Sequence, residues 1–277
     1  MTKFDVVSDL HFDHFVGSGE AGTEFLESVF LRPTAPNLLV AGDIGNWYSE
    51  HALFYTDYFF NLVRHKYQNV VCVLGNHDYY FSSFDESPTP VGLYRQRYAE
   101  YNNIHFLNLN DAQSTIKVDD VTIIGGTLWS ELDPVCELEI MRRLNDFRCI
   151  RGLTAKDYRD RFSKELLELD RLLEIHKDEK VVVLTHHAPT FATTPMFSDS
   201  PLQSAFCTDL TRMFLSRSNI KAWVFGHTHV KAELEIGGVK LIENSFGYYG
   251  QESLDYKPKL LTIESFQKSE RAFRGPF

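Results

Sequence analysis

Basic charge is the first thing in short supply. The chain carries 28 Lys and Arg against 38 Asp and Glu, a formal net charge of −10. A surface that follows a nucleic-acid backbone relies on Lys and Arg to displace counterions, so this balance argues against a nucleic-acid polymer as partner. Cysteine is scarce too: Cys72, Cys136, Cys149 and Cys207 stand far apart and form no CxxC pair. That spacing reads as four reduced thiols, consistent with a reducing compartment. No apolar run approaches the roughly 20 residues that a membrane-spanning helix needs. Nor is there a basic-then-apolar leader, since Lys3-Phe4-Asp5-Val6-Val7 already has strand character. The expected location is the cytoplasm, with no membrane partner.

What is present is a series of short apolar strands. Phe4–Val7, Asn37–Ala41, Asn69–Leu74, Ile104–Leu107, Val181–Leu184 and Lys221–Phe225 have the length and β-branched content of strands covered on both faces. Ser114–Val118 and Val121–Ile124 predict a hairpin across Asp119-Asp120. Ala232–Ile236 and Val239–Ile242 predict another around Gly237-Gly238, and Leu260–Ile263 a last strand. Helical spacing covers Glu24–Leu31, Glu50–His65, Leu93–Tyr101 and Asp157–His176, with Ser82–Gly92 a loop around Pro88 and Pro90. The segment 130–178 reads as a helical insertion or cap on one domain spanning 1–277. The aperiodic stretch 189–206 is long enough to form a mobile rim of a pocket.

Five of these strands end in side chains that ligate metals: Asp9 and His11, Asp43, Asn76 and His77, His186, and His227 with His229. Open α/β sheets bind ligands outside the carboxyl ends of their strands. One histidine at a strand end is ordinarily structural; five such endings at one topological position point to one shared site. Mixed carboxylate, amide and imidazole donors suit Mn, Fe, Ni or Zn and disfavour Ca.

The ordered blocks Asp9-Leu10-His11, Gly42-Asp43, Gly75-Asn76-His77-Asp78, Thr185-His186-His187 and Gly226-His227-Thr228-His229 resemble the calcineurin-like metallophosphoesterase superfamily. The resemblance implies a four-layer α/β/β/α sandwich with two mixed sheets and a binuclear metal site at the strand ends. It would assign Asp9, His11, Asp43 and His229 to one ion, and Asp43, Asn76, His186 and His227 to the other, with Asp43 as the bridge. Two divalent ions, with manganese favoured, would share and activate a water for attack on a phosphoester. His77, left without an ion, would protonate the leaving oxygen.

Protein phosphatases of that superfamily carry a second Asp three residues after the bridging one, and it orients the catalytic His. Here the position is Asn46, which argues against a protein phosphatase and leaves the partner of His77 open. Gly126-Thr127-Leu128-Trp129, Asn145-Asp146-Phe147-Arg148 and Ser245-Phe246-Gly247-Tyr248 resemble bacterial and phage phosphodiesterase-like members. Asn46, His187 and Arg148 are candidates for supporting or substrate contacts, although the Asn145–Arg148 cluster reads more simply as surface ion pairing. His14, His51, His65, His105 and His176 fit no block and read as structural or exposed, while Asn244, at a strand end, is a site candidate. The reading is hydrolysis of a small phosphodiester or phosphomonoester. The alternatives are a DNA or RNA nuclease and a non-catalytic scaffold of the same fold. The sequence gives no reading of oligomeric state.

Overall fold

The computed structural model describes residues 1–251 and 255–265. In chain order the strands are β1 (Thr2–Val7), β2 (Asn37–Ala41), β3 (Asn69–Val73), β4 (Ile104–Phe106), β5 (Thr115–Val118), β6 (Val121–Gly126), β7 (Lys180–Thr185), β8 (Ile220–Phe225), β9 (Glu233–Ile236), β10 (Val239–Glu243) and β11 (Lys259–Ile263). They form two sheets, ordered β11-β1-β2-β3-β4 and β5-β6-β7-β8-β10-β9. Strands β1 to β4 run parallel, with β11 antiparallel at the edge. In the second sheet β6, β7, β8 and β10 are parallel and flanked by antiparallel β5 and β9. Both sheets are mixed, as the resemblance implies.

Side-chain alternation along each strand builds the layers. Phe4 and Val6 of β1, Leu39 and Ala41 of β2, and Val71 and Val73 of β3 meet Ile123, Val182, Leu184, Ala222 and Val224 of the second sheet in one apolar layer. The alternate residues Leu38, Val40, Val70 and Cys72 turn outward. There they pack beneath α1 (Glu20–Phe30), α2 (Glu50–Val63) and α3 (Pro90–Arg97), which supply Phe25, Phe59, Phe60 and Tyr94. On the far side Val181, Val183, Trp223 and Phe225 are covered by Leu169, Leu172, Leu173 and Phe214. Continuous apolar runs were therefore the correct signature of strands buried on both faces.

Several boundaries differ from the sequence reading. Pro90 lies inside the stretch expected to be a loop, yet it begins α3: its ring suits the first helical turn, and Thr89 caps the helix by accepting from Gly92 N–H. β6 runs on through Gly125 and Gly126. The 130–178 segment contains α4 (Glu137–Arg143), α5 (Asp146–Cys149) and α6 (Ala155–Ile175). α6 starts at a reciprocal cap between Thr154 and Asp157 and lies in the connection between parallel strands β6 and β7. Its Leu169, Leu172 and Leu173 cover the second sheet. The 189–206 stretch folds into short helical turns and ends in α7 (Gln203–Phe206), followed by α8 (Thr211–Leu215).

Candidate metal centre

The carboxyl ends of β1, β2, β3, β7 and β8 converge, and the backbone there leaves ordinary strand geometry. Asp9, His11, Asp43, His227 and His229 all take positive φ, between 46° and 72°. Non-glycine residues occupy that left-handed region at a cost of about 1–2 kcal/mol each. Such outliers persist where the surroundings over-determine them. Each kink turns a side chain out of the strand direction and across the ends of the sheets. Two glycines allow the close approach that follows. A Cβ on Gly75 would overlap the Asp43 carboxylate, and one on Gly226 would lie 2.6 Å from Asp9 Oδ2.

The donors gather in overlapping groups: Asp9 with His11 and His229; Asp43 with His186 and His227; and His11 with Asp43 and His77. Asp43 is central. Its Oδ2 lies 3.6 Å from His11 Nε2 and its Oδ1 lies 3.3 Å from His186 Nε2. Oδ1 also accepts from the His77 backbone N–H at 2.9 Å. Asp9 Oδ1 lies 3.4 Å from His229 Nε2 and accepts from His227 N–H at 2.9 Å. His11 Nε2 and His229 Nε2 face each other at 3.1 Å.

Most of this group is sealed from water, so its polar atoms should be paired. Several are not: Asp9 Oδ2, His11 Nδ1 and His227 Nε2 are buried without a hydrogen-bond partner. Burial pushes the His11 imidazole well below its ordinary pKa, and the neighbouring His77 and His229 rings add to it. Burial, with His187 and His186, does the same to His227. Neutral rings with free lone pairs are what a divalent cation requires. At His186 burial also lowers the pKa, but Asp43 outweighs it and the value is pushed up to about 10. His186 Nδ1 lies 2.8 Å from the Ala41 carbonyl. That oxygen can only accept, so Nδ1 carries the proton and Nε2 is directed at the site. The donor set and its unpartnered buried atoms fit a divalent ion pair.

Asn76 is oriented from the helical segment. Its Nδ2 donates at 2.7 Å to Asp146 Oδ1, which also accepts from Tyr80 at 3.0 Å. This turns Asn76 Oδ1 to His186 Nε2 at 3.0 Å. Asp146 is fully buried, so the surface ion-pair reading of that cluster is wrong. Burial raises its pKa, against the hydrogen bond from Asn76. Arg148, the candidate two residues on, is exposed and bonds the Arg142 carbonyl.

His77 stacks on Tyr80 with ring centroids 4.3 Å apart. Its Nδ1 faces Asp13 Oδ2 at 3.6 Å, an ion-pair distance too long for a hydrogen bond. Burial lowers the His77 pKa, but Asp43 and Asp13 together push it up to about 9. The carboxylate facing His77 is therefore Asp13; Asn46, considered for that role, is buried with its Oδ1 unpartnered. His187 lies behind His227, ring centroids 4.3 Å apart, with Nε2 3.2 Å from the Tyr158 hydroxyl. Asn244 instead ties the Val6 and Lys257 carbonyls together.

Sequence reasoning passed over four further neighbours. His14 was set aside as structural or exposed. It is exposed, yet its Nε2 lies 3.7 Å from Asp13 Oδ2. Tyr248 covers His11 and His229 at 4.7 and 5.2 Å between ring centroids. Asp78 accepts from Gly45 and Gly75 N–H at 2.9 and 2.8 Å, joining the two loops that carry Asp43 and Asn76. Buried Glu243 accepts from Thr228 and from Val230 N–H and so holds the loop of His227 and His229. Asp78 and Tyr248 were visible as members of quoted blocks; His14 and Glu243 had no spacing signal.

A family model for calcineurin-like phosphoesterases matches residues 2–231. Uncharacterized protein L509 of Acanthamoeba polyphaga mimivirus is 27% identical over 87% of this chain and 90% of its own length. Among solved structures, the phosphopantetheinyl hydrolase of Mycobacterium tuberculosis matches with a TM-score of 0.67 at 17% identity, covering 89% of this chain and 90% of that one. A putative 5'-nucleotidase from Staphylococcus aureus matches with a TM-score of 0.50 at 14% identity, covering 97% and 56%. Both structural likenesses concern the fold.

Proposed function

The chain belongs to the calcineurin-like phosphoesterase family of phosphoester hydrolases, and from that premise we propose that it cleaves a small phosphodiester or phosphomonoester with a pair of divalent ions. Asp9, His11, Asp43 and His229 would hold one ion; Asp43, Asn76, His186 and His227 would hold the other. The observation that carries this reading is Asp43, whose two carboxylate oxygens face His11 on one side and His186 on the other. A bound pair supplies Lewis acidity to the phosphoryl oxygens and lowers the pKa of a water.

The chain's own residues supply position and a proton. Asp146 fixes the Asn76 amide so that its oxygen, not its NH₂, points inward. Asp13 faces His77 Nδ1, which leaves Nε2 to deliver a proton to the departing oxygen. The ester would lie between Tyr248 and the 189–206 rim, whose Phe206 ring packs 5.0 Å from the His227 ring. The mixed donor set suits Mn, Fe, Ni or Zn, and of these we propose manganese. The net charge of −10 favours a small ester over DNA or RNA. Four free thiols support a cytoplasmic location, and no described helix is long and apolar enough to cross a membrane. Because both sheets contribute donors, we read 1–277 as a single unit.

Activity with Mn²⁺ on cyclic nucleotides, dinucleotides, aryl phosphodiesters and single-stranded DNA tests the substrate class. Dominant cleavage of DNA would replace this reading with the nuclease. Absence of a stoichiometric metal pair by mass spectrometry would replace it with the scaffold. His77→Gln should keep both ions, lose about 10²–10⁴-fold on an alkyl ester, and lose far less on a nitrophenyl ester. Where chemistry limits both rates, equal losses would assign His77 to phosphate binding.

A further inference from the structure

Asp13, His14 and His77 form a group that the ion pair does not use. All three side chains converge on one atom: Asp13 Oδ2 lies 3.6 Å from His77 Nδ1 and 3.7 Å from His14 Nε2. Both separations are too long for hydrogen bonds. They are close to the edge of a tetrahedron, about 3.4 Å for donors roughly 2.1 Å from a zinc ion. Two imidazoles, one carboxylate and an open fourth position form a donor set that zinc accepts. Two atoms of the group are buried and unpartnered, His77 Nδ1 and Asp13 Oδ1. The Asp13 side chain is only 10% exposed, whereas His14 is 44% exposed and leaves the group open to solvent.

We propose that Asp13, His14 and His77 form a third, inhibitory site for a divalent cation such as Zn²⁺. Its place explains its effect. A cation held by Asp13, His14 and His77 takes the place of the proton on His77 Nδ1 and so engages the ring that is given the proton-donor role above. Hydrolysis of esters with a strongly basic leaving oxygen then slows, while the ion pair stays in place. The inhibitory consequence rests on the proton-donor role given above to His77; the site itself does not.

The test uses enzyme already loaded with two equivalents of Zn²⁺, into which further Zn²⁺ is titrated under equilibrium dialysis. Wild type should bind a third equivalent, and alkyl-ester hydrolysis should fall with the same midpoint while nitrophenyl-ester hydrolysis changes little. Partners outside the first shell of ligands already change affinity by about 10–100-fold, so removing a direct ligand in His14→Gln should weaken the third site about 100-fold. The rate of His14→Gln at two equivalents should be unchanged. A third equivalent bound equally by wild type and His14→Gln, or by neither, overturns the site. Binding as expected with equal loss on both esters keeps the site and overturns the proton-donor reading of His77.

Discussion

The layer between the two sheets and the strand ends above it are built on opposite rules. In the layer, Phe4, Val6, Leu39, Val71, Val182 and Val224 are buried apolar residues of regular strands. A few residues further along the same strands, Asp9, Asp43 and His227 have left-handed backbone. Carboxylates meet imidazoles there, and several buried polar atoms go unpartnered. One region gains free energy from burial at about 25 cal/mol per Å²; the other costs it through strain and desolvation. Stability and chemistry are thus separated by a few residues on the same strands, and the layer supports the strain of the site.

That separation can be broken most severely at Asp43. Ion-pair stabilisation of a phosphoryl transition state is worth several kcal/mol, so Asp43→Asn should lower activity by about 10³-fold or more and cost bound metal. Stability of the metal-free protein should nevertheless change little. Burial and then the Asp43 charge push Asp78 up to about 7, a repulsion that the substitution relieves, while the same charge holds up the His186 and His77 values, an attraction that it removes. Chemical denaturation after chelation would check this, and a loss of stability comparable to that of a core truncation would dissolve the distinction.

The converse change sharpens it. Leu39 is fully buried between the sheets, and Leu39→Ala should cost about 2–5 kcal/mol of stability. The folded fraction should still carry two ions and turn over normally, as measured by metal content and kcat on the same sample. A disproportionate fall in kcat would mean that the layer tunes the site directly.

Asp146→Ala gives a smaller effect in which both sides of the comparison move together. It leaves the Asn76 amide free to turn and removes the buried acceptor of Tyr80. Metal affinity should fall about 10–100-fold, and stability by about 1–3 kcal/mol for the unpaired donors. Competition with a graded chelator reads the first and urea denaturation the second. Metal retention equal to wild type would show that Asn76 needs no such anchor.

What was legible in advance follows the same division. Apolar period and run length located the strands of both sheets, because burial on two faces demands continuous apolar residues. Five polar strand endings marked the site, because parallel strands deliver their carboxyl ends to one edge. Asp146 was misjudged because its hydrogen bond to Asn76 joins positions 70 residues apart, and no local pattern records such a contact. Asp13 was missed for another reason. His11 has φ 46°, and the tight turn Phe12–His14 that follows it brings the Asp13 carboxylate to His77.

The sequence by itself determined the layered α/β fold, its family, and the residue types collected at the strand ends. Periodicity and block order carry that information through local steric and solvation rules. Only the tertiary structure decided which oxygen of Asp43 faces which histidine, that Asp13 rather than Asn46 meets His77, and that Asp146 reaches in to orient Asn76. These choices depend on left-handed kinks and on side chains arriving from distant elements, and their energies arise only once both sheets have packed.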